Sequence, residues 1–468
     1  MTFADLLAPA IACVLGFAGW RLSRGLGAAG NPAVLVPLYG TVGLGSLLFL
    51  FDLAGVAPSV PVILAATAVV LLLSLLRYPS AEPAATEWSG WLLLAVIATL
   101  VRAAELFGRG AIGWDFRYLW GLKAKAFALA GNSLASWSAW FPNVWHHPDY
   151  PPLWTDLLAF GIRLGGKPDH VASAWGSLLL VGLVAACWDN CRGLTRPFQL
   201  IAAVVGLAAP AVLQRGNSGN ADLAIALLAA VALGSLNRVA QRLPLYSANL
   251  FTLSVAIVGL CLTKNEGAVL ALGCVVGVAL TAPRRSSVVA ALSFAGPVIC
   301  WRLFLALHGI PAEPRTLSSL AWLTAAKETA WWLQGHALTQ SGLCLLAWLL
   351  ALASIARRAS RGVLVAIAVW WLGVAAAYAT SLEGVLWQLS TSFERVIAAP
   401  LPGLVTLALA AAGRFAIDAR RDPEHLPSEP SHSQCDPASR MIRGKQHIRS
   451  RTRVTIVSGL GAAGRLNV

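Results

Sequence analysis

Apolar runs of bilayer-crossing length recur through almost the whole chain, and the loops between them are short and carry arginine. The runs fall at 3–20, 33–51, 59–76 and 88–104, and resume at 171–187, 198–213, 221–236, 248–263, 266–281, 287–307, 339–356, 363–380 and 396–412. A hydrocarbon core about 30 Å thick takes about 20 helical residues to cross, and sustained apolar runs of this length read as spans. The expected fold class is therefore an all-α polytopic membrane protein, a bundle of about 13 transmembrane helices. Composition agrees: 57% of the 468 residues are hydrophobic and only 12% charged, roughly half the charge of a soluble chain.

The net charge of +14 suggests nucleic acid only until its placement is read. Most arginines lie in short loops between runs, where the positive-inside rule puts them, so the expected partner is the lipid bilayer and no nucleic acid. Cys13, Cys261, Cys274, Cys300 and Cys344 stand inside apolar runs as small hydrophobes. Cys187 and Cys191 sit at a helix end without a second Cys/His pair to complete a zinc site. The first run has no basic residues before it and no small-residue cleavage site, and is expected to stay as a span.

The exception to this regularity is 114–156. There Asp115, Arg117, Lys123, His146, His147 and Asp149 are interleaved with Trp120, Trp137, Trp140, Trp145 and Trp154. Acid/base groups among tryptophans at a bilayer surface suit a substrate that is both polar and greasy. The piece 152–164 is apolar, too short to cross comfortably, and carries Asp156 and Arg163. If it lies at the surface, Arg21/Arg24, Arg77, Arg192/Arg196, Arg238/Arg242, Arg284/Arg285, Arg357/Arg358/Arg361 and the basic tail all fall on one side, the cytoplasm. If it crosses, the arginines split between both faces. A juxtamembrane or re-entrant helix on the outer face is therefore expected. The outer face then gathers Asp115, Asp149, Asp222, Lys264, Glu266, Glu383, Glu394 and Arg395.

Each of these groups has a chemical reading and a plainer one. Asp115 suits a general base or cation ligand at the lipid–water boundary; alternatively it is a solvated acid paired with Arg117 or Lys123. In His146-His147-Pro148-Asp149-Tyr150-Pro151-Pro152-Leu153 the prolines hold the backbone extended until a helix starts. This fixes a His/Asp/Tyr group that could bind sugar, phosphate or metal, or merely decorates a helix entry. Asp222 opens a span and reads either as a helix cap or as a site residue. Lys264 and Glu266 join two runs with almost no spacer, and ions at membrane depth are functional or paired with each other. Arg395 suits bidentate phosphate recognition, or snorkels to the interface.

Taken in order, these strings resemble a known family. The Asp after an early span, the long external first loop, Tyr-Pro-Pro-Leu, Asn-Ala-Asp-Leu, Lys-Asn-Glu-Gly and Thr-Ser-Phe-Glu-Arg before the last span resemble the GT-C superfamily of integral-membrane glycosyltransferases. Within it they are similar to the family 39-like proteins, relatives of protein O-mannosyltransferases and of the lipid A aminoarabinose transferase. The resemblance covers 88–412 and implies a GT-C-like helical bundle. Its external loop, 105–170, carries juxtamembrane helices. It leaves 1–87 as extra N-terminal helices and 413–468 as a basic, disordered cytoplasmic tail.

The resemblance also implies the activity: inverting transfer of a sugar from polyprenyl phosphate to an extracytoplasmic glycan, lipid or protein acceptor. Asp115 would be the catalytic carboxylate by position, and Lys264 and Arg395 the phosphate-binding cations. His146, His147, Asp149, Tyr150, Asp222 and Glu266 complete the expected substrate-binding set. The donor is a substrate, and a divalent metal is left open as cofactor. The chemistry is self-consistent, since transfer needs a base at the acceptor hydroxyl and cations at the leaving phosphate.

A transporter or flippase for lipid-linked saccharides would place charge near the midplane, often in two repeated halves; no repeat is seen. A polymerase or ligase of O-antigen type would carry its main polar loop in the C-terminal half. A non-catalytic scaffold would tolerate loss of Asp115. The alanine, arginine and glycine content points to a GC-rich bacterium and hence to its inner membrane, with the site on the outer face.

Overall fold

A computed structural model describes residues 2–25, 31–77, 90–111, 113, 115–140, 147–213, 219–241, 246–311, 327–329, 347–353, 361–380, 389 and 392–421. The regular elements among the described residues are all helices, with no sheet. In order they form α1 (Ala4–Gly25), α2 (Pro32–Leu53), α3 (Val60–Arg77) and α4 (Gly90–Arg109). A π-helical turn (Phe116–Trp120) then runs into α5 (Gly121–Ala130), α6 (Ser133–Trp140) and α7 (Leu153–Arg163). There follow α8 (Pro168–Asn190), α9 (Arg196–Leu213), α10 (Asp222–Ala240), α11 (Tyr246–Thr263), α12 (Asn265–Thr281) and α13 (Arg284–Leu307). The last are α14 (Arg361–Ala379), α15 (Phe393–Ala398) and α16 (Leu401–Arg421). Met1–Asp418 packs as one compact unit, and nearly all of the basic tail lies outside the described residues.

Eight helical stretches are long and apolar enough to cross a bilayer: α1, α2, α8, α10, α11, α13, α14 and the continuous Phe393–Arg414. The chain is thus a multi-pass membrane protein. Of the other expected spans, α3, α9 and α12 are shorter apolar helices. The run at 88–104 forms α4, which carries an Arg102–Glu105 ion pair in its second half. Most of 339–356 falls outside the described residues. Large apolar side chains such as Leu76, Val101, Leu292, Leu307 and Leu372 point outward, as lipid contact requires.

Lipid gives helices no hydrophobic reason to associate, so close packing of small residues must do it. A Cβ on Gly16 would stand 2.0 Å from the Val36 carbonyl oxygen, and one on Gly40 2.1 Å from that of Ala12. Only glycine lets α1 and α2 approach so closely. The α12–α14 crossing repeats the device, with Gly273 and Gly277 against the carbonyls of Ala366 and Gly362. At the centre stands α10, of which all but Arg238 and Ala240 is buried.

The two ends of the bundle differ. At one, Arg238 pairs with Asp189 (3.5 Å) and bonds Asn249, while Arg414 reaches Gln241. This is the end of the short, arginine-bearing loops. The other end holds the polar segment and α5–α7. Helix α7 is not among the helices long and apolar enough to cross; Trp154 near its start bonds the Gly219 carbonyl, and Arg163 at its end bonds the carbonyls of Pro58 and Ala128. Beyond it the Lys167 amide bonds Asp5 at the start of α1. Eleven residues amount to about 16 Å of helix. The expected surface helix is more deeply set than its juxtamembrane position implied, with Leu153 to Gly161 all buried.

Gly273→Leu is expected to push α12 from α14 and lower stability by about 1–3 kcal/mol, read as a lower thermal midpoint in detergent. Gly296→Ala on α13, where a Cβ meets nothing within 4 Å, is expected to hold or raise the midpoint.

Candidate active site

The burial of α10 decides where the site can be, because it sets Asp222 at the axis of the bundle's polar end, only 3% exposed. A carboxylate there has to be paired. Asp222 Oδ1 receives Lys264 Nζ at 3.2 Å, and Asp222 Oδ2 receives Arg395 Nη1 at 3.4 Å. Arg395 also bonds Asp115 directly. Lys264 Nζ lies 3.5 Å from Glu266 Oε1, and Tyr150 Oη reaches the same oxygen at 3.5 Å. One chain of contacts therefore runs Asp115–Arg395–Asp222–Lys264–Glu266–Tyr150. It joins residues from the first polar segment, the start of α10, the α11–α12 turn and the last span.

Each member is held locally. Asp115 immediately precedes the π-helical turn, whose Phe116 ring packs on Gly219; a Cβ there would stand 2.7 Å from Phe116. Gly219 has φ +64°, a conformation glycine adopts at little cost, and its carbonyl accepts from Trp154 Nε1 at 3.1 Å. That pins the chain just before Asp222. Lys264 is extended before the first turn of α12, and its Nζ lies within reach of the Glu266 carboxylate in that turn. Arg395 lies in α15, which the Trp348 indole holds through the Ile397 carbonyl at 2.7 Å. Tyr378 Oη shares a hydrogen bond with Ser392 just ahead of it.

The string His147–Tyr150 forms a clamped turn beside this chain. His147 has φ +51°, the one positive φ outside glycine among the described residues. Such a conformation costs about 1–3 kcal/mol unless its surroundings fix it. They do: the His147 carbonyl accepts from Lys123 Nζ (2.7 Å) and from the Tyr150 amide (3.1 Å). The Asp149 carbonyl accepts from Trp301 Nε1 at 2.9 Å, and its Oδ2 from Asn265 at 3.1 Å. Arg302 stands 3.8 Å from the same carboxylate. The His147 ring stacks on Tyr150 at 4.7 Å, Trp120 flanks Tyr150 at 5.9 Å, and Lys264 sits 5.9 Å over the Tyr150 ring. The ammonium is thus within cation–π range of the ring while it contacts Asp222 and Glu266.

Burial and charge set the protonation states. Burial raises the Tyr150 phenol well above its ordinary range, and Glu266 and Asp149 raise it further, so it remains a neutral donor. Burial alone would lower the Lys264 ammonium, but Asp222 and Glu266 more than offset it and hold it charged. Burial pushes Lys123 down to about 7, with Asp149 opposing. Asp149 Oδ1, Glu266 Oε2 and Asn220 Nδ2 are buried here without a hydrogen-bond partner, polar groups still able to take a ligand.

Of the expected site residues, Asp115, His147, Asp149, Tyr150, Asp222, Lys264, Glu266 and Arg395 come together; His146 and Glu383 lie outside the described residues. Among the described residues no group of three or more His, Cys, Asp or Glu is placed to hold a metal. Sequence reasoning left Asn265, Trp301, Arg302, Tyr378 and Ser392 without a role and gave Lys123 no specific one. The signal for Trp301 and Arg302 was present, a polar pair near the end of an otherwise apolar helix.

Because the native state releases the Lys123 proton near pH 7 and the unfolded chain near 10.5, stability is expected to rise with pH between those values. Lys123→Met should abolish that rise, seen in thermal midpoints measured across the window.

No family model, curated protein or solved structure matches this chain.

Proposed function

We propose that the chain is a membrane glycosyltransferase, moving a sugar from a polyprenyl-phosphate donor to a glycan, lipid or protein acceptor with inversion. The reading rests on the resemblance of the ordered strings to the GT-C superfamily, family 39-like branch. The observation that carries it is Arg395, which bridges Asp115 of the first loop to Asp222 of the central helix with Lys264 adjoining. A base and two fixed cations thereby meet at the end of the bundle opposite the arginine loops. By the positive-inside rule that end is extracytoplasmic.

In this reading the donor phosphate takes the guanidinium and ammonium, which suit phosphate oxygens as fork and point charge. Taking the guanidinium releases Asp115. The freed carboxylate accepts the proton of the acceptor hydroxyl as its oxygen bonds the anomeric carbon. The bond from that carbon to the phosphate oxygen breaks, and the electron pair leaves with the polyprenyl phosphate. Lys264 and Arg395 neutralise the charge that develops there. The half-buried His147 ring, stacked on Tyr150, offers its outer face to the sugar, and the lipid tail lies along the bundle's apolar exterior. Charge at helix ends, not at mid-span, favours this over a transporter.

Membranes carrying the wild type are expected to transfer label from radiolabelled polyprenyl-phosphate sugars to native acceptors. Asp115→Asn should lose at least about a hundredfold at equal expression. Arg395→Lys should lose at least about tenfold despite keeping its charge, because the fork is gone. Full activity in Asp115→Asn would remove that residue from the mechanism.

A further inference from the structure

A cavity of about 490 Å³ lies on the flank of the bundle between α1, α2 and α3, a volume in the range of ligand pockets. Its walls are Cys13, Val14 and Phe17 of α1, Val36 of α2, and Leu71 and Leu75 of α3. Val14, Phe17 and Leu75 are also exposed outward, so the cavity opens on the side that faces lipid. Two of the three walls are locked together, because Gly16 of α1 lies against the Val36 carbonyl, where a Cβ would stand 2.0 Å away. The third wall is looser, since among the described helices α3 packs chiefly on α1. The cavity is the space this leaves between α3 and α2.

Its lining decides what can fill it. Water needs polar partners, and a wholly apolar cavity stays dry. Left empty, the space forgoes the dispersion contacts of every side chain around it. In a bilayer the occupant is therefore hydrocarbon.

One rim of the cavity is basic. Val14, Phe17 and Arg21 share one face of α1 at helical spacing. Arg21 Nε bonds the Ser74 carbonyl at 3.4 Å, in the stretch of α3 that holds Leu71 and Leu75. Arg24, one turn on, carries its guanidinium 5.3 Å over the Trp20 ring. The sequence has no Asp or Glu between Asp5 and Asp52, nor between Asp52 and Glu82, so α1–α3 bring no carboxylate to this rim. Asp189 of α8 pairs with Arg192 and Arg238. Tyr39 of α2 bonds Thr252, in the half of α11 whose Asn249 bonds Arg238. The rim thus belongs to the arginine-bearing end of the bundle, away from the candidate active site.

We propose that this cavity binds an anionic phospholipid from the leaflet at the arginine-bearing end. An acyl chain fills the space between α2 and α3, and the phosphate lies at Arg21 and Arg24. Hydrocarbon in the cavity completes the packing of α3, and the two guanidiniums select the negative headgroup. None of these residues belongs to the candidate active site, so the inference stands apart from the glycosyltransferase reading.

The test uses the full chain in lipid nanodiscs and needs no turnover. A phosphatidylglycerol with a diazirine in its acyl chain is expected, on photolysis, to label the peptides of α1 and α3 that line the cavity. Unlabelled phosphatidylglycerol should compete at least about fivefold better than phosphatidylcholine with the same chains, the ratio that one cation near the headgroup supplies. The double variant Arg21→Gln, Arg24→Gln should lose that preference. Val14→Trp, which fills the cavity, should lose the label, whereas Leu72→Trp, outside the lining, should keep it. Should Val14→Trp fail to fold, the competition ratio and the arginine variant decide.

Label confined to other helices, equal competition by the two lipids, or an undiminished preference in the arginine variant would overturn the proposal. So would chain-to-chain cross-links from the same faces of α1 and α3, since a second copy would then fill the space.

Discussion

Arg395 is held, half-buried, between two carboxylates, and the rest of the polar end is arranged around that necessity. A guanidinium withdrawn from water loses hydration worth several kcal/mol and must regain it from partners in good geometry. Asp222 meets it from the start of α10 and Asp115 from the first loop. Asp222 then needs more than one cation and takes Lys264, which in turn holds Glu266. Each charge is tolerable only because its neighbour is present. The last span, the central helix, the α11–α12 turn and the first loop are thereby drawn to one place.

Such a network suits a site better than a purely structural joint. Replacing buried ion pairs with packed apolar residues is often neutral or stabilising, so stability alone explains poorly why several charges persist together at the helix ends. Here they adjoin buried oxygens without partners and a turn held in a costly backbone conformation. The clamps on that turn come from four elements: α5 through Lys123, α12 through Asn265, α13 through Trp301, and the aromatic neighbours of Tyr150. Strain fixed from many sides is the mark of a group that has to be aimed.

Much of this was legible in the chain because lipid narrows the options. A 17- to 20-residue apolar run has few fates, and the distribution of arginine led to the expectation of a non-crossing helix at 152–164. The polar strings also announced themselves, since Lys264 and Glu266 between two apolar runs are conspicuous. Other parts were silent. Trp301 and Asn265 contribute through a single indole and a single amide whose partners lie 152 and 116 residues away in the chain. Asp156 looked like an obstacle to crossing the membrane; that it would be buried, no local pattern discloses.

The sequence by itself determined the class, the order of the helices and which polar strings stand apart from the apolar runs. Those follow from hydropathy and charge, which act residue by residue against a fixed solvent. Only the tertiary structure decided which acid meets which base. Asp115 could as well have paired with Arg117 or Lys123 nearby, yet it lies on Arg395, 280 positions away, while Lys123 turns to a backbone carbonyl. Pairing is a property of packing, set where glycine-lined helices close on one another. No window of sequence contains both partners or the helices that bring them together.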